Sequence, residues 1–337
     1  MIKKITIIFL LLKAMDLTAA ENKTLLNRGF LTGLYERKYS GEKQTLEKFC
    51  RKLTEKFKKL RWKGDPCGKV KWKTQGYSRK GHPLIYWVYG TGPKTTLLIS
   101  GVHPDELTPI PMGFRFANYV LSNPLKINPE TDRVIIIPLA NPDGFLTRLP
   151  TRVNNRGIDI NRNFQTADWH KKAISSWIHR RGKSHRHFPG LMPNSEPETL
   201  LQTEIIARFQ PDKILSIHAP LGFLDYDGPG DRVKKPTTSF IKQAKGYAKE
   251  IAKISRNYRV VDYSFYPGSL GNYAGNERHI PTVTLELRTS KPEKAEEYWR
   301  LFLPGMLKSI EYPFRRFTKK SAFYNNNQTS TKKTRKW

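Results

Sequence analysis

The chain is poor in negative charge. Over 337 residues, 29 Asp and Glu stand against 60 Lys and Arg, a formal net charge of +31. An imbalance of this size says little about fold, but it implies a polyanionic neighbourhood: nucleic acid, acidic lipid headgroups or an anionic wall polymer. No nucleic-acid motif accompanies the charge, so a nucleic-acid partner is not expected. Cysteine is nearly absent. Cys50 and Cys67 are the only two, and two thiols so far apart do not read as a zinc site. In an oxidising compartment they are able to pair, but sequence alone does not say whether they lie close enough. Long apolar runs are missing too. The run Ile5–Leu12 falls well short of the ~20 residues needed to span a bilayer, and there is no internal repeat.

That short run has a different context. Lys3 and Lys4 precede it and Thr18-Ala19-Ala20 follow it, the arrangement of a secretory signal peptide over 1–20. A secreted or periplasmic protein is the expectation. From 21 to about 68 the chain is Lys-rich, and Leu46, Cys50, Leu53 and Phe57 recur at helical spacing, which predicts a helical preface to the main domain. Beyond it, short β-branched runs alternate with longer helical stretches. The runs are Leu84–Tyr89, Thr96–Ser100, Val134–Leu139, Ile214–Ile217 and Thr282–Leu287. The helices are Pro111–Leu121, Pro197–Phe209, Ser239–Ser255 and Lys294–Leu303, the last ending at Pro304-Gly305. This alternation predicts an α/β domain over 69–312 with a mixed, largely parallel twisted sheet flanked by helices. The tail 313–337 has too little apolar content to pack and is expected to be disordered. Lys/Arg/His-rich residues from His170 to His187 read as a solvated basic loop, an insertion with four histidines. A monomer is expected.

Ligand sites in open α/β sheets gather outside the carboxyl ends of strands. Gly101-Val-His-Pro-Asp-Glu106, Asn141-Pro-Asp-Gly144 and His218-Ala-Pro-Leu221 each follow a short apolar run, and Glu286 sits near the end of the last. His103, Glu106 and His218 together offer the three protein ligands that a catalytic zinc needs, with a position left for water. Taken singly, each histidine reads equally well as a hydrogen-bonded loop residue. Glu286 shares a strand face with Thr282 and Thr284. A carboxylate in so apolar a strand is costly unless paired, hydrated or near a metal, and as a general base it would take a proton from water and pass it to a leaving amine. The segment Arg152–Phe164 embeds polar groups among apolar ones. In it, Asn161 with Arg162 suits a carboxylate, and Arg152 suits an oxyanion.

These motifs, in this order, resemble the zinc carboxypeptidase family over about residues 76 to 310. Gly76–Leu84, Gly101–Glu106 and Tyr266–Gly271 look most like its bacterial murein peptide amidase branch. The resemblance implies one zinc per chain on His103, Glu106 and His218, and Glu286 as general base. It also implies Arg152 on the scissile carbonyl, and Asn161 with Arg162 on the substrate's terminal carboxylate. Family members add a tyrosine that closes over the substrate. Tyr263 and Tyr266 both precede Pro267-Gly268-Ser269, and the sequence does not choose between them. Leu270 and Gly271 would fall near the side-chain pocket, and a glycine there leaves specificity open. Murein peptide amidases that serve recycling work in the cytoplasm, whereas the leader points to export, so wall peptides outside the cytoplasm are the expected substrate. The alternatives are a general metallocarboxypeptidase or deacylase on other carboxylate-bearing substrates, or a catalytically silent basic module that binds wall polymer or nucleic acid.

Overall fold

The computed structural model describes residues 41–229 and 237–313. The leader at 1–20, the residues 21–40 after it and the basic tail beyond 313 lie outside the described residues. Contacts divide the chain into Met1–Glu42 and Lys43–Trp337, and every element below belongs to the second unit. Helix α1, Leu46–Lys59, starts where the Thr45 hydroxyl accepts the Lys48 N–H at 3.2 Å, satisfying one of the donors a helix start leaves open. Its apolar stripe, Phe49, Leu53 and Phe57, is fully buried, each side chain contributing about 1.5–3 kcal/mol. Cys50 and Cys67 form a disulfide with Cα atoms 5.9 Å apart, which ties this helix to the segment that follows.

An eight-stranded sheet organises the rest. The strands are β1 Lys73–Tyr77, β2 Pro83–Tyr89, β3 Lys94–Ile99, β4 Asp132–Ile137, β5 Lys213–His218, β6 Phe223–Tyr226, β7 Val260–Val261 and β8 Thr282–Glu286. Their spatial order is β1-β2-β4-β3-β5-β8-β6-β7. The central strands β4, β3, β5 and β8 run parallel, β1 and β2 pair antiparallel with their neighbours, β6 is antiparallel to β8, and β7 is parallel to β6. Side chains alternate between two cores. Ile85, Leu98, Ile136, Leu215 and Val283 pack with α1, α2 (Pro109–Ser122), α6 (Thr238–Ile254) and α7 (Ala295–Glu311). Leu84, Leu97, Ile135 and Ile214 face α5 (Pro197–Phe209) on the other side. A sheet buried on both faces explains why its central strands read as continuous apolar runs.

Three features depart from expectation. The helix expected to stop at Pro304 runs on to Glu311. Phe302, Met306 and Ile310 stay on one buried face across the proline, and burying two further side chains at about 1.5–3 kcal/mol each offsets an interior proline's cost of roughly 3 kcal/mol. The expected basic loop is largely a helix, α4, Trp169–Arg181, ended by Gly182 in the left-handed conformation. Strands β1, β6 and β7 were not foreseen; β1 and β7 are the two partly exposed edge strands, and β6, though mostly buried, is only four residues long.

Candidate metal centre and active site

The site forms where parallel strands end side by side. The loop after β3 carries His103 and Glu106, His218 is the last residue of β5, and Glu286, the last of β8, is its register partner. His103, Glu106 and His218 are all buried, and each offers a ligand atom within 4.8 Å of the others. His103 Nδ1 lies 2.9 Å from one Glu106 oxygen, and His218 Nδ1 lies 3.0 Å from the other. The two Nδ1 atoms face each other at 3.2 Å. Tetrahedral zinc with its usual bond lengths sets neighbouring ligands about 3.3 Å apart, so the donor set fits such an ion.

The outer contacts fix what those nitrogens present. His103 Nε2 is 3.0 Å from Asp159 Oδ1, and His218 Nε2 is 3.0 Å from the Ser216 hydroxyl. With a metal ion on Nδ1, His103 would carry its proton on Nε2, where the Asp159 carboxylate accepts it. Lone pairs and a carboxylate then converge on one buried point, an arrangement that repels itself unless a cation sits there. Burial raises the Glu106 carboxyl, but His103 and His218 outweigh it and hold the group well below its usual range. Burial and Arg152 pull His103 down, while Glu106 and Asp159 bring it above its ordinary value. Among the described residues no other group of metal-ligating side chains forms. His170, His179, His185 and His187 in particular do not converge.

Asp159 is the functional residue that sequence reasoning missed. It is fully buried and accepts from His103, from Arg152 Nε at 3.0 Å and from the Asn161 backbone N–H at 3.0 Å. Burial raises its carboxyl, yet Arg152 and His103 hold it well below the usual range. Arg152 bridges onward, donating Nη1 to Glu106 at 3.0 Å. Among the described residues Arg152 Nη2 has no acceptor, so this guanidinium keeps donors for an oxyanion. Glu286 lies beside the centre and accepts, at 3.5 Å, from the Leu221 N–H. Burial pushes its carboxyl up to about 7, His218 opposing and Glu106 adding to the shift.

Asn161 and Arg162 are held against the segment that carries the two tyrosines. Asn161 Oδ1 accepts from the Leu270 N–H at 2.8 Å, and Phe164 donates to the Gly268 carbonyl at 3.0 Å. Gly268 has φ +74, and a Cβ there would collide with the Arg162 carbonyl, so the close approach needs glycine. The Arg162 guanidinium stacks 4.6 Å from the Tyr266 ring, and Arg181 of α4 lies 4.7 Å from the same ring and donates to its hydroxyl. Among the described residues Arg162 forms no ion pair. Tyr266 is therefore clamped, whereas Tyr263 is 51% exposed and held by its N–H to Asp225 and a ring contact with Phe223.

The segment read as a solvated loop is part of this wall. Besides Arg181, it sends Arg186 to Asp105 in the His103–Glu106 loop. Burial holds the His187 ring down to about 4, with Arg152, Arg162 and Arg181 adding to the effect and Asp159 opposing it. The Asn141–Gly144 motif has a different task. Asn141 caps the one-turn helix α3, Pro142–Phe145, through the Gly144 N–H, and Asp143 pairs with His82 at 2.8 Å, so the motif has a bracing task.

The comparisons agree with this geometry. The family model described as zinc carboxypeptidase matches residues 69–304. Murein peptide amidase A of Escherichia coli strain K12 is 26% identical over 242 residues, covering 70% of this chain and 89% of that protein. Its counterpart in Vibrio campbellii is 29% identical over 218 residues, covering 63% and 77%. Carboxypeptidase A from Helicoverpa armigera shares the fold with a TM-score of 0.58 at 19% identity, covering 86% of this chain and 80% of that one. Sheet, ligand set and family match lead to one assignment: this chain belongs to the zinc carboxypeptidase family, and it is a hydrolase.

Proposed function

We propose that the protein is a zinc-dependent hydrolase that cleaves a peptide or amide bond next to a carboxylate-bearing residue in peptidoglycan stem peptides. The observation that carries this reading is the buried His103–Glu106–His218 donor set with a part-exposed carboxylate, Glu286, at its edge. Zinc on those three residues supplies a Lewis acid that acidifies water and polarises a carbonyl. Glu286, with its carboxyl near neutrality, accepts a proton from the attacking water and returns it to the departing nitrogen. Arg152 donates to the oxygen on which negative charge develops. Arg162, unpaired and backed by Tyr266, receives the substrate carboxylate, with Asn161 beside it. Tyr263 is the phenol free to swing over the substrate, because Tyr266 is occupied in positioning Arg162 and Arg181.

Several features support the wall as the setting. The basic, apolar and small-residue order at 1–20 suits export, and the net charge of +31 suits an anionic polymer outside the cytoplasm. The similarity to murein peptide amidases supports stem peptides as the substrate class. Mass spectrometry of isolated muropeptides before and after digestion tests the reading, since it identifies both the bond and the stem length. Loss of a diamino acid or shorter peptide from the stem is expected. Unchanged muropeptides together with trimming of ordinary peptides would overturn the wall assignment.

A further inference from the structure

Helix α4 and the segment around Tyr266 enclose a cleft of about 450 Å³ whose lining includes no metal ligand and no catalytic group. The residues that α4 and its N-cap turn towards it recur at helical spacing: Asp168, Lys172, Ser175, Ser176, His179 and Arg180. Phe265 and Pro267 belong to the opposite wall, while Tyr266 between them reaches Arg162 and Arg181 instead. One segment thus serves the carboxylate clamp with Tyr266 and the cleft with its neighbours. The cleft is polarised. At one end Asp168 is fixed by the Thr166 hydroxyl at 2.8 Å and the Asn272 amide at 3.1 Å, and Asn276 donates to Asn272 at 2.8 Å. Glu277 accepts the Ala167 N–H at 2.7 Å. Lys172 lies 3.8 Å from Asp168 and Arg278 lies 3.7 Å from Glu277, so both acids are balanced. Eight residues of helix, about 12 Å, separate Lys172 from Arg180. Among the described residues Arg180 forms no ion pair, so that end keeps its positive charge.

We propose that this cleft binds a sugar that carries a carboxylate, with the acid on Arg180 and the ring hydroxyls on Asp168, Glu277 and the serines. A guanidinium takes a carboxylate through two parallel hydrogen bonds. An ionised carboxyl has about four lone-pair sites, so Asp168 and Glu277 retain acceptors for hydroxyl groups after their own bonds are made. Ser175 and Ser176 both give and accept. Phe265 and Pro267 offer an apolar surface to the C–H face of a ring, and the volume suits a small-ligand site of about 300–1,000 Å³. A strand charged at every unit, such as a nucleic acid, would press an anion on Asp168 and Glu277. An acidic sugar presents hydroxyls there and avoids that clash. The binding stands apart from the chemistry at the metal centre. Only its purpose, keeping a glycan strand beside that centre, rests on the reading of the wall as the setting.

The test is an NMR titration of the full chain with zinc restored, using N-acetylmuramic acid, glucuronate, N-acetylglucosamine and inorganic phosphate as probes. N-acetylglucosamine is N-acetylmuramic acid without its lactyl carboxylate. At least one acidic sugar should bind about tenfold tighter than N-acetylglucosamine, the lower range for a hydrogen bond to a charged group, and tighter than phosphate. Which acid binds tells a muramyl unit from a uronic acid polymer. Arg180→Ala should remove the preference, and Ser175→Glu, which adds like charge between the two ends, should weaken the acidic sugar. Both residues are exposed, so neither change disturbs the core. Equal binding of N-acetylglucosamine overturns the role of the carboxylate. Phosphate bound as tightly as the acidic sugars overturns the sugar and leaves a bare anion site. A preference that both variants keep places binding elsewhere and overturns the cleft. If no probe binds, the inference falls. Hydrolysis of a stem tripeptide is read separately, and its absence counts against the hydrolase reading alone.

Discussion

Replacing Asp159 by asparagine tests the organisation of the metal centre without touching a ligand. The substitution keeps shape and removes one charge. Asp159 accepts three hydrogen bonds at 3.0 Å, from His103 Nε2, Arg152 Nε and the Asn161 N–H. An amide oxygen serves two of these at Oδ1, but the amide nitrogen then faces Arg152 Nε, a donor against a donor. Arg152 keeps only Glu106, and breaking one side of a buried ion network costs about 3–5 kcal/mol. The metal-free protein should therefore unfold at markedly lower denaturant. His103 also loses the carboxylate that fixes its tautomer and raises its basicity, which lowers zinc affinity by about tenfold to a hundredfold. The assay is competition between the metal-stripped protein and a chromophoric zinc chelator, run far below the unfolding transition. Affinity within twofold of wild type, with an intact near-UV circular dichroism spectrum, would refute the argument that Asp159 orients His103.

Other expectations follow from the same geometry. Glu286→Gln should bind zinc as the wild type does and lose about a hundredfold to ten-thousandfold in kcat, measured with any cleaved peptide. Tyr263→Phe should raise KM more than it lowers kcat, whereas Tyr266→Phe frees Arg181 and should weaken carboxylate binding through Arg162; steady-state kinetics on both variants separates the two. Burial, then the charges of Asp143 and Glu196, push Glu198 up to about 8. Its folded value lies above the unfolded one, so its contribution is fully present below about pH 4.5 and is lost as pH rises through about 8. Thermal midpoints should fall over that window by a few kcal/mol in equivalent stability, and Glu198→Gln should flatten the fall. Replacing both Cys50 and Cys67 with serine opens a loop whose ends are 17 residues apart and should cost about 3 kcal/mol in urea unfolding.

The candidate ligands His103, Glu106 and His218, and Glu286 beside them, stood out in the sequence because each follows, or ends, a short β-branched run. Strands buried on both faces announce themselves by continuous apolarity, and polar residues at their ends stand out. Asp159 was not legible, since a single acid among arginines looks like ordinary surface pairing until the fold brings His103 beside it. Helix α4 was hidden by its composition, because its basic residues face the rim while Trp169 and Ala173 supply its small buried face. Pro304 misled for a related reason: local propensity argued for a stop, and the tertiary face through Phe302, Met306 and Ile310 prevailed.

The central claim is that one zinc, held by His103, Glu106 and His218 and served by Glu286, makes this protein a hydrolase. Titrating metal-stripped protein with zinc while following release of the C-terminal residue from a stem tripeptide tests it most directly. Activity should rise in step with zinc and level off at one ion per chain, while Glu286→Gln takes up the same ion and stays inactive. Hydrolysis that is indifferent to zinc, or that survives undiminished in Glu286→Gln, would contradict the account.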